Sequence, residues 1–393
     1  MNEKPHLLCI ATPQWEGNYA KSTVKLMTFL TEYFNIVYVN YAFTIKDVLM
    51  GVIGKLQIPL GRILGLTSSI KTVTLDETGE KIHIVYPYPI IPANWVRSKS
   101  LYLFITKINS LILRKSIKSS LKKIKFQPKV VINAFNPFLG LYNIDSFGED
   151  LNIYYCYDQI KEAEWLGVHG GWMEKLFIEK AGHVACSSQP LLAEKSKFAR
   201  SSILLKNGVD FDLFTKYKRK PSQSKKIKIG FTGSIDNRLD YDLLSFVVKE
   251  LPDCEFIFIG RVQSTKEAGM LGQYHNVQFL EPVPYENLPE IQKTFDIGIL
   301  PFVKNEFTYN IYPMKINEYL ATGLPVISTD FTSLDEFAEI ISIAGDKESF
   351  VEIIKNHKNN SGPIKTEKGI ELAKKNSWKQ RSKDLYDYIK DYL

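Results

Sequence analysis

Short apolar runs rich in β-branched and aromatic side chains recur along this chain, each bounded by polar or turn residues and followed by a stretch with helical spacing. "HLLCIAT", from residue 6, stops at Thr-Pro; "GNYAKSTVKLMTFLTEYF" then repeats apolar residues at helical intervals, and "NIVYVN" is again strand-like. That is a β-α-β unit. The alternation returns with "KVVINAF" at 129–135, "NIYYCYD" at 152–158, "HVACSS" at 183–188 and "SILLKNG" at 202–208, which predicts a parallel sheet with helices on both faces. "TKYKRKPSQSKK", 215–226, carries no apolar period and reads as a linker. The pattern then restarts with "IKIGFTG", a helix from about Tyr241, "CEFIFIG", "NVQFLE", a helix near Leu288–Phe295, "DIGILPF" and "PVIST". The expectation is α/β throughout: a doubly wound domain over 1–214, the linker, and a second such domain over 227–376. In the final "SWKQRSKDLYDYIKDYL" a Ser cap precedes Trp378, Leu385, Tyr386, Ile389 and Leu393, which fall on one helical stripe over 377–393.

A length of 393 residues suits two cores rather than one. With 45% apolar and 24% charged residues the chain is globular rather than disordered or fibrous. Cys9, Cys156, Cys186 and Cys254 are far apart with no CxxC pair, which argues against a zinc site and a disulfide framework and fits a reducing cytoplasm. The opening apolar stretch is too short for a signal peptide, and no window reaches the ~18 apolar residues of a membrane span, so the expectation is a protein neither secreted by that route nor integral. The net charge of +7 is unevenly placed: Lys81 to Ile144 holds eleven Lys and Arg and no acid. Such a surface suits nucleic-acid phosphates, anionic lipid heads, or water alone.

One stretch concentrates the chemistry. "NIYPMKINEYLATGLPVIST", 310–329, sets Pro313 at the start of a helix, Lys315 in its first turn and Glu318 one turn on, then ends the helix at Gly323 and Pro325. A helix start beside a strand end favours anions, and Lys315 adds a full charge there. Glu318 has the reach to accept hydrogen bonds from a ribose diol while Lys315 meets a diphosphate. The same spacing also fits an ordinary i,i+3 ion pair.

"YPMKINEYLATGLPVIST", "KNGVDFDLF" at 206–214 and "GFTGSIDNRLDYDLL" at 230–244 together resemble the GT-B glycosyltransferases that build bacterial cell-surface polysaccharides, nearest to the teichuronic-acid and xanthan-type enzymes. The resemblance covers most of the chain and is strongest from Asn207 to Thr329. It implies two Rossmann-like domains facing a cleft, an acceptor-binding amino-terminal one and a carboxyl-terminal one for a nucleotide sugar, with the last helix crossing back to the first. It implies Gly233 and Ser234 against the donor diphosphate, Arg261 as a second cation, Met314 and Lys315 on the nucleobase side and phosphate, and Glu318 on the ribose. Many retaining members carry a second glutamate eight positions before the one matching Glu318; here Asn310 stands there.

Glycosyl transfer needs a leaving diphosphate neutralised by positive charge and, for inversion, a base for the acceptor proton. The base candidate is Asp158, at the carboxyl end of an apolar strand, where xanthan-type relatives place an aspartate; it equally suits a cap for the helix beginning near Gln159. Glu162 and Glu164 are weaker alternatives. Trp15, Glu16 and Asn18, in a strand-to-helix turn resembling the family's amino-terminal cleft loop, are candidate acceptor contacts, with simple packing as the other reading of Trp15. His169, between glycines, either touches sugar hydroxyls or is structural. "Asp240-Tyr-Asp242" has metal-binding spacing but sits at a helix start, where acids cap. No metal and no cofactor beyond the nucleotide-sugar co-substrate is expected.

The expected partners are a nucleoside-diphosphate sugar, with UDP favoured, a glycan or lipid-linked acceptor, and an anionic membrane surface. The basic segments 48–66 and 97–129 would hold the protein peripherally at the inner face of the cell membrane. Nucleic acid is not expected, since no reader motif accompanies the basic stretch. Competing readings are a nucleotide-sugar epimerase of similar fold and a non-catalytic scaffold for polysaccharide assembly; a dehydrogenase is disfavoured because neither half has GxGxxG after its first strand.

Overall fold

The structure, a computed structural model, describes residues 4–17, 21–162, 168–218, 226–359 and 364–393. The chain divides into two compact units, the first running to Lys206 and taking in Arg381–Leu393, the second spanning Asn207–Gln380. Of the linker expected at 215–226, residues 219–225 lie outside the described residues.

The first unit is built on β1 (His6–Ala11), β2 (Asn35–Val39), β3 (Ile70–Thr74), β4 (Lys81–Val85), β5 (Val130–Ala134), β6 (Leu151–Cys156), β7 (His183–Cys186) and β8 (Ser201–Leu204). They form one sheet in the order β3-β4-β2-β1-β5-β6-β7-β8. Central β1 pairs in parallel with β2 and β5, setting Cys9 opposite both Tyr38 and Ile132. Residues of these inner strands are apolar almost without interruption because helices cover both faces and leave no polar side. Leu8, Ile10, Val37 and Val131 pack with Leu113, Ile117 and Leu121 of helix Lys99–Lys123, and Tyr154, Cys156 and Val184 pack with Met173, Phe177 and Ile178 of helix Gly170–Ala181. The β3–β4 hairpin was not foreseen: it pairs antiparallel, closed by Leu75 N–H to Glu80 O at 2.8 Å, with Gly79 at φ +70 where a left-handed residue is needed. All four cysteines are buried and unbridged.

The second unit carries β9 (Lys228–Thr232), β10 (Glu255–Ile259), β11 (Val277–Leu280), β12 (Ile297–Leu300), β13 (Val326–Thr329) and β14 (Ser342–Ala344). Every pair is parallel, in the order β11-β10-β9-β12-β13-β14. Counted from its own first strand this is the doubly wound order in which the chain departs in opposite directions on either side of β9, opening a crevice at the carboxyl ends. Gly230 in β9 lets Phe295 cross the sheet face, for a Cβ there would fall 2.0 Å from the ring.

Helix Trp378–Ile389 begins as expected with a Ser377 cap, whose Oγ accepts from Gln380 N–H at 3.3 Å. Trp378, Leu385 and Ile389 are buried, whereas Leu393 is half exposed and not part of the packed stripe. Within the first unit Tyr386 stacks on Tyr33 at 4.5 Å, and Tyr388 Oη donates to Ser201 Oγ at 2.8 Å.

Candidate active site

In the second unit the elements around the end of β9 converge. Thr232 N–H donates to Tyr319 Oη at 2.9 Å, tying the last residue of β9 to helix Met314–Ala321. The next residue, Gly233, adopts φ +155, and Gly260 after β10 adopts φ +149. A Cβ on Gly260 would lie 1.9 Å from Gly233 O, so both strand ends need glycine to approach this closely. A Cβ built on Gly233 would lie 3.7 Å from Lys315 Cε, so the lysine stem lies beside that turn. Arg261 receives Ile235 N–H on its carbonyl at 2.9 Å, which places the residue beside the Ser234 loop with its side chain exposed. Gly233, Ser234, Arg261 and Lys315 are therefore neighbours, although they come from three chain segments.

Lys315 Nζ and Glu318 Oε2 form an ion pair at 2.9 Å. The Glu318 side chain is fully buried, and its Oε1 has no hydrogen-bond partner among the described residues. A buried carboxylate oxygen left without a donor costs stability, so its persistence beside a lysine calls for a functional reason. Met314 is half-buried, and Pro313 stands one position before the helix, as its cap. The first turn is partly self-satisfied: Met314 N–H bonds Tyr312 O at 2.9 Å and Ile316 N–H bonds Pro313 O at 3.0 Å. With two first-turn amides already used, much of the positive charge here rests on the Lys315 ammonium, one of whose three donors is used on Glu318. Asn310 Nδ2 donates to Glu306 O at 2.7 Å. Asp240 is a cap, its Oδ1 accepting from Leu243 N–H at 2.9 Å.

In the first unit Asp158 follows β6 and is half-buried, its Oδ1 accepting Gln159 N–H at 3.0 Å at the head of a short 3₁₀ turn, Ile160–Glu162. Directly behind it Gln159 is clamped at both ends of its amide: Nε2 donates to Glu194 Oε2 at 2.8 Å and Oε1 accepts from Lys195 Nζ at 3.1 Å. Lys195 also holds Glu174 at 2.7 Å, both side chains 2% exposed, and Tyr154 Oη donates to the other Glu174 oxygen at 2.8 Å. Burial pushes the Glu174 carboxyl up; burial alone would lower the Lys195 ammonium, but Glu174, Cys156 and Glu194 together outweigh it and hold it up. This network was not legible in the sequence, since its members come from β6, the turn after it and two helices. Glu164 lies outside the described residues.

The acceptor candidates are dispersed. Trp15 packs edge-on against Tyr38 at 5.0 Å and its N–H donates to Asn40 Oδ1 at 2.7 Å. Glu16 is bonded by Tyr86 Oη and by Lys71 Nζ at 3.2 Å; burial raises its pKa, but these donors outweigh it and hold the carboxyl below its usual range. Asn18 lies outside the described residues. His169 is corrected from a loop contact to an interior residue: it is 3% exposed and stacks on Tyr102 at 4.0 Å. Its Nε2–H donates to Val96 O at 2.8 Å while Nδ1 accepts Trp172 Nε1–H at 3.2 Å, so both ring nitrogens are spent. Instead a cavity of about 340 Å³ opens where the chain parts on either side of β1, lined by Thr12, Tyr41, Lys46, Trp95, Asn109 and Asn136 among others. Thr12 and Asn136 follow β1 and β5, the switch point of that sheet. No sequence signal marks it, because its residues come from four separate segments.

Two doubly wound sheets, parallel except for the β3–β4 pair, the second with a lysine and a buried glutamate beside its switch point, give this chain the fold of the GT-B glycosyltransferases. Residues 226–359 match the family described as Glycosyl transferases group 1. The chain is 29% identical over 171 residues to TuaH of Bacillus subtilis (strain 168), named as a teichuronic acid biosynthesis glycosyltransferase; the match spans 41% of this chain and 43% of that protein. Among solved structures, sucrose-phosphate synthase from Thermosynechococcus elongatus superposes with a TM-score of 0.70 at 12% identity over 99% of both chains. An E. coli trehalose-6-phosphate protein bound to UDP-2-fluoro glucose gives 0.67 at 9% over 98% of both. Anabaena HepE, in complex with UDP and glucose, gives 0.65 at 12% over 98% of this chain and 99% of its own.

Glu194 yields a pH test. Burial raises its pKa, but bonds from Gln159, Lys161 and Lys195 outweigh this and bring it from 4.5 to about 2. A carboxyl depressed on folding stabilises above its unfolded pKa and loses that contribution as pH falls through the folded value. Wild-type protein is therefore expected to lose about 1–2 kcal/mol more than Glu194→Gln between pH 4.5 and 2, after allowance for solvent screening. Urea titrations across that range check it, and parallel pH profiles would remove Glu194 from the network.

Proposed function

We propose that the protein is a glycosyltransferase that moves a sugar from a UDP-sugar to a glycan acceptor of cell-surface polysaccharide, carried on lipid at the inner membrane face. The observation that carries the donor half is the buried, partnerless Glu318 oxygen paired through its carboxylate to Lys315 beside the Gly233 turn. A nucleoside diphosphate matches both deficits, its ribose hydroxyl donating to the carboxylate and its phosphate oxygens drawing on the ammonium's unused donors. UDP and sugars bound by the structural neighbours support the donor class, and the relation to TuaH supports the acceptor class.

In the reaction the acceptor hydroxyl oxygen attacks the anomeric carbon as the bond from that carbon to the diphosphate oxygen breaks. The departing diphosphate gains negative charge, which Lys315, with Arg261 close by in the same unit, stabilises more in the transition state than in the ground state. The acceptor proton passes to Asp158. Gln159, pinned by Glu194 and Lys195, keeps the chain after β6 fixed, so Asp158 needs little reorganisation. The reading needs no metal, since side-chain cations meet the leaving group.

Replacing Lys315 by Ala should weaken UDP binding about 10- to 100-fold, the equivalent of a charge-assisted contact of about 1.5–3 kcal/mol, as read by calorimetry. Unchanged affinity would take Lys315 out of the site. Asp158→Asn should retain fold and UDP affinity but lose about 10²–10⁴-fold in turnover, measured as UDP release that depends on acceptor. Near-normal turnover would pass the role of base to another residue, Glu162 first.

A further inference from the structure

Helix Lys99–Lys123 is turned inside out in its first half. Its exposed stripe carries Leu101, Phe104 and Leu111, at 45%, 62% and 49% exposure, while Thr106, Asn109 and Ser110 face the interior. Ordinary burial would place these residues the other way round, because about 25 cal/mol is gained per Å² of apolar surface removed from water. The polar interior positions are satisfied locally: Asn109 exchanges two 2.8 Å hydrogen bonds with the backbone of Ile91, and Ser110 Oγ donates to Leu139 O at 3.2 Å. Along the same exposed stripe Lys107, Lys115, Lys118 and Lys122 alternate with or follow the apolar residues.

A second apolar surface lies in the same unit. Helix Ile45–Val52 has no buried residue, and Leu49, Val52 and Ile53 are each more than 60% exposed. Ile45 N–H donates to Ile90 O at 2.8 Å, and the next residue, Ile91, is the one held by Asn109. The two helices and the segment bearing Trp95, itself 72% exposed, thus meet around the rim of the 340 Å³ cavity. The charge of this region is one-sided. Residues 45–129 contain fifteen Lys and Arg against four acids, Asp47, Asp76, Glu77 and Glu80. Asp47 is consumed in a capping box, Glu77 pairs with Lys25 at 2.7 Å, and Glu80 pairs with Lys4 at 2.6 Å. A surface that meets only water mixes the two signs and hides its leucines.

We propose that this face of the first unit is a docking surface for an anionic lipid bilayer, in which Leu49, Val52, Ile53, Leu101, Phe104 and Leu111 enter the headgroup boundary while the lysines of the long helix lie against lipid phosphates. The combination selects this occupant: exposed leucines alone suit a protein partner, and lysines alone suit any polyanion, but interleaved on one helical stripe they match an apolar interior bounded by negative charge. No helix among the described residues is long and apolar enough to cross a membrane, so the attachment is peripheral. The docking does not depend on the transfer reaction, and it gives the lipid-borne acceptor of that reading its place of encounter.

The test is flotation of the full chain with phosphatidylglycerol vesicles and with phosphatidylcholine vesicles, without donor or acceptor, at low and high salt. Binding is expected to the anionic vesicles at low salt, to fall at least tenfold at high salt, and to be slight on neutral vesicles. The quadruple variant K107Q/K115Q/K118Q/K122Q should bind at least about 50-fold more weakly, at roughly fivefold per lysine with allowance for partial contact. L101S/F104S/L111S should also lose binding while keeping the wild-type circular dichroism and melting temperature, since it alters only exposed side chains. A control K249Q/K374Q in the second unit should bind as wild type. The proposal is overturned by absence from the anionic vesicles at low salt, by equal binding to neutral ones, or by either first-unit variant binding normally. It is also overturned if L101S/F104S/L111S disperses a dimer seen by sedimentation and the vesicles take up nothing, which would make the face a contact between copies. UDP binding and turnover are read separately, so failure here leaves the transferase reading standing, and failure there leaves this one.

Discussion

Gly233 and Gly260 meet backbone against backbone at the carboxyl ends of β9 and β10, and the chemistry of the second unit depends on that contact. With 1.9 Å between a would-be Cβ and the Gly233 carbonyl, any side chain at Gly260 would push the two turns apart. Their closeness leaves the end of β9 narrow enough for Tyr319 to take the Thr232 amide and for the Lys315 stem to lie beside Gly233. Lys315 then pairs with Glu318, one of whose oxygens stays buried and unanswered among the described residues. Each step follows from the one before it: parallel order opens a crevice, glycine permits the tight turn, the turn admits the lysine, and the lysine makes a buried carboxylate tolerable.

The first unit uses the same sheet logic for a different purpose. Its switch point opens a cavity lined by aromatic and polar side chains, and the segments around that cavity display leucines and lysines outward. On the other side of β5 a buried Lys195–Glu174 pair stiffens the turn that carries Asp158. Such a pair is a poor source of stability relative to apolar packing, because desolvation offsets most of its attraction. Its value lies in geometry: it clamps Gln159 from two sides. On the proposed reading the second unit holds the diphosphate, and the first unit, with a carboxylate at a strand end, meets the hydroxyl-bearing partner.

Much of the fold was legible because inner parallel strands must be apolar throughout, so "HLLCIA", "VVINA" and "FIFI" stand out against their helical surroundings. The β3–β4 hairpin did not, since "IKTVT" and "KIHIV" alternate with polar residues at the sheet edge and resemble loop. The placement of Pro313, Lys315, Glu318 and Gly323 was readable because they lie within one turn-helix-turn whose order carries its own geometry. Of the two readings of His169 the structural one is the one seen: flanking glycines suggest a loop, whereas the ring is an interior link between Val96 and Trp172. For helix Lys99–Lys123 the mix of apolar and basic residues was visible, but not that Ser, Thr and Asn would face the core; that inversion arises from Asn109 bonding a distant backbone.

The central claim is that a nucleoside diphosphate seats between the Gly233 turn and the start of the Lys315 helix. Hydrogen–deuterium exchange with and without UDP tests it most directly, since bound ligand lowers the opening of the backbone it touches. The account predicts slowed exchange in the peptides covering Gly233–Ile235 and Met314–Glu318 and little change around the cavity of the first unit. Protection confined to the first unit, or none at either segment at saturating UDP, would contradict it.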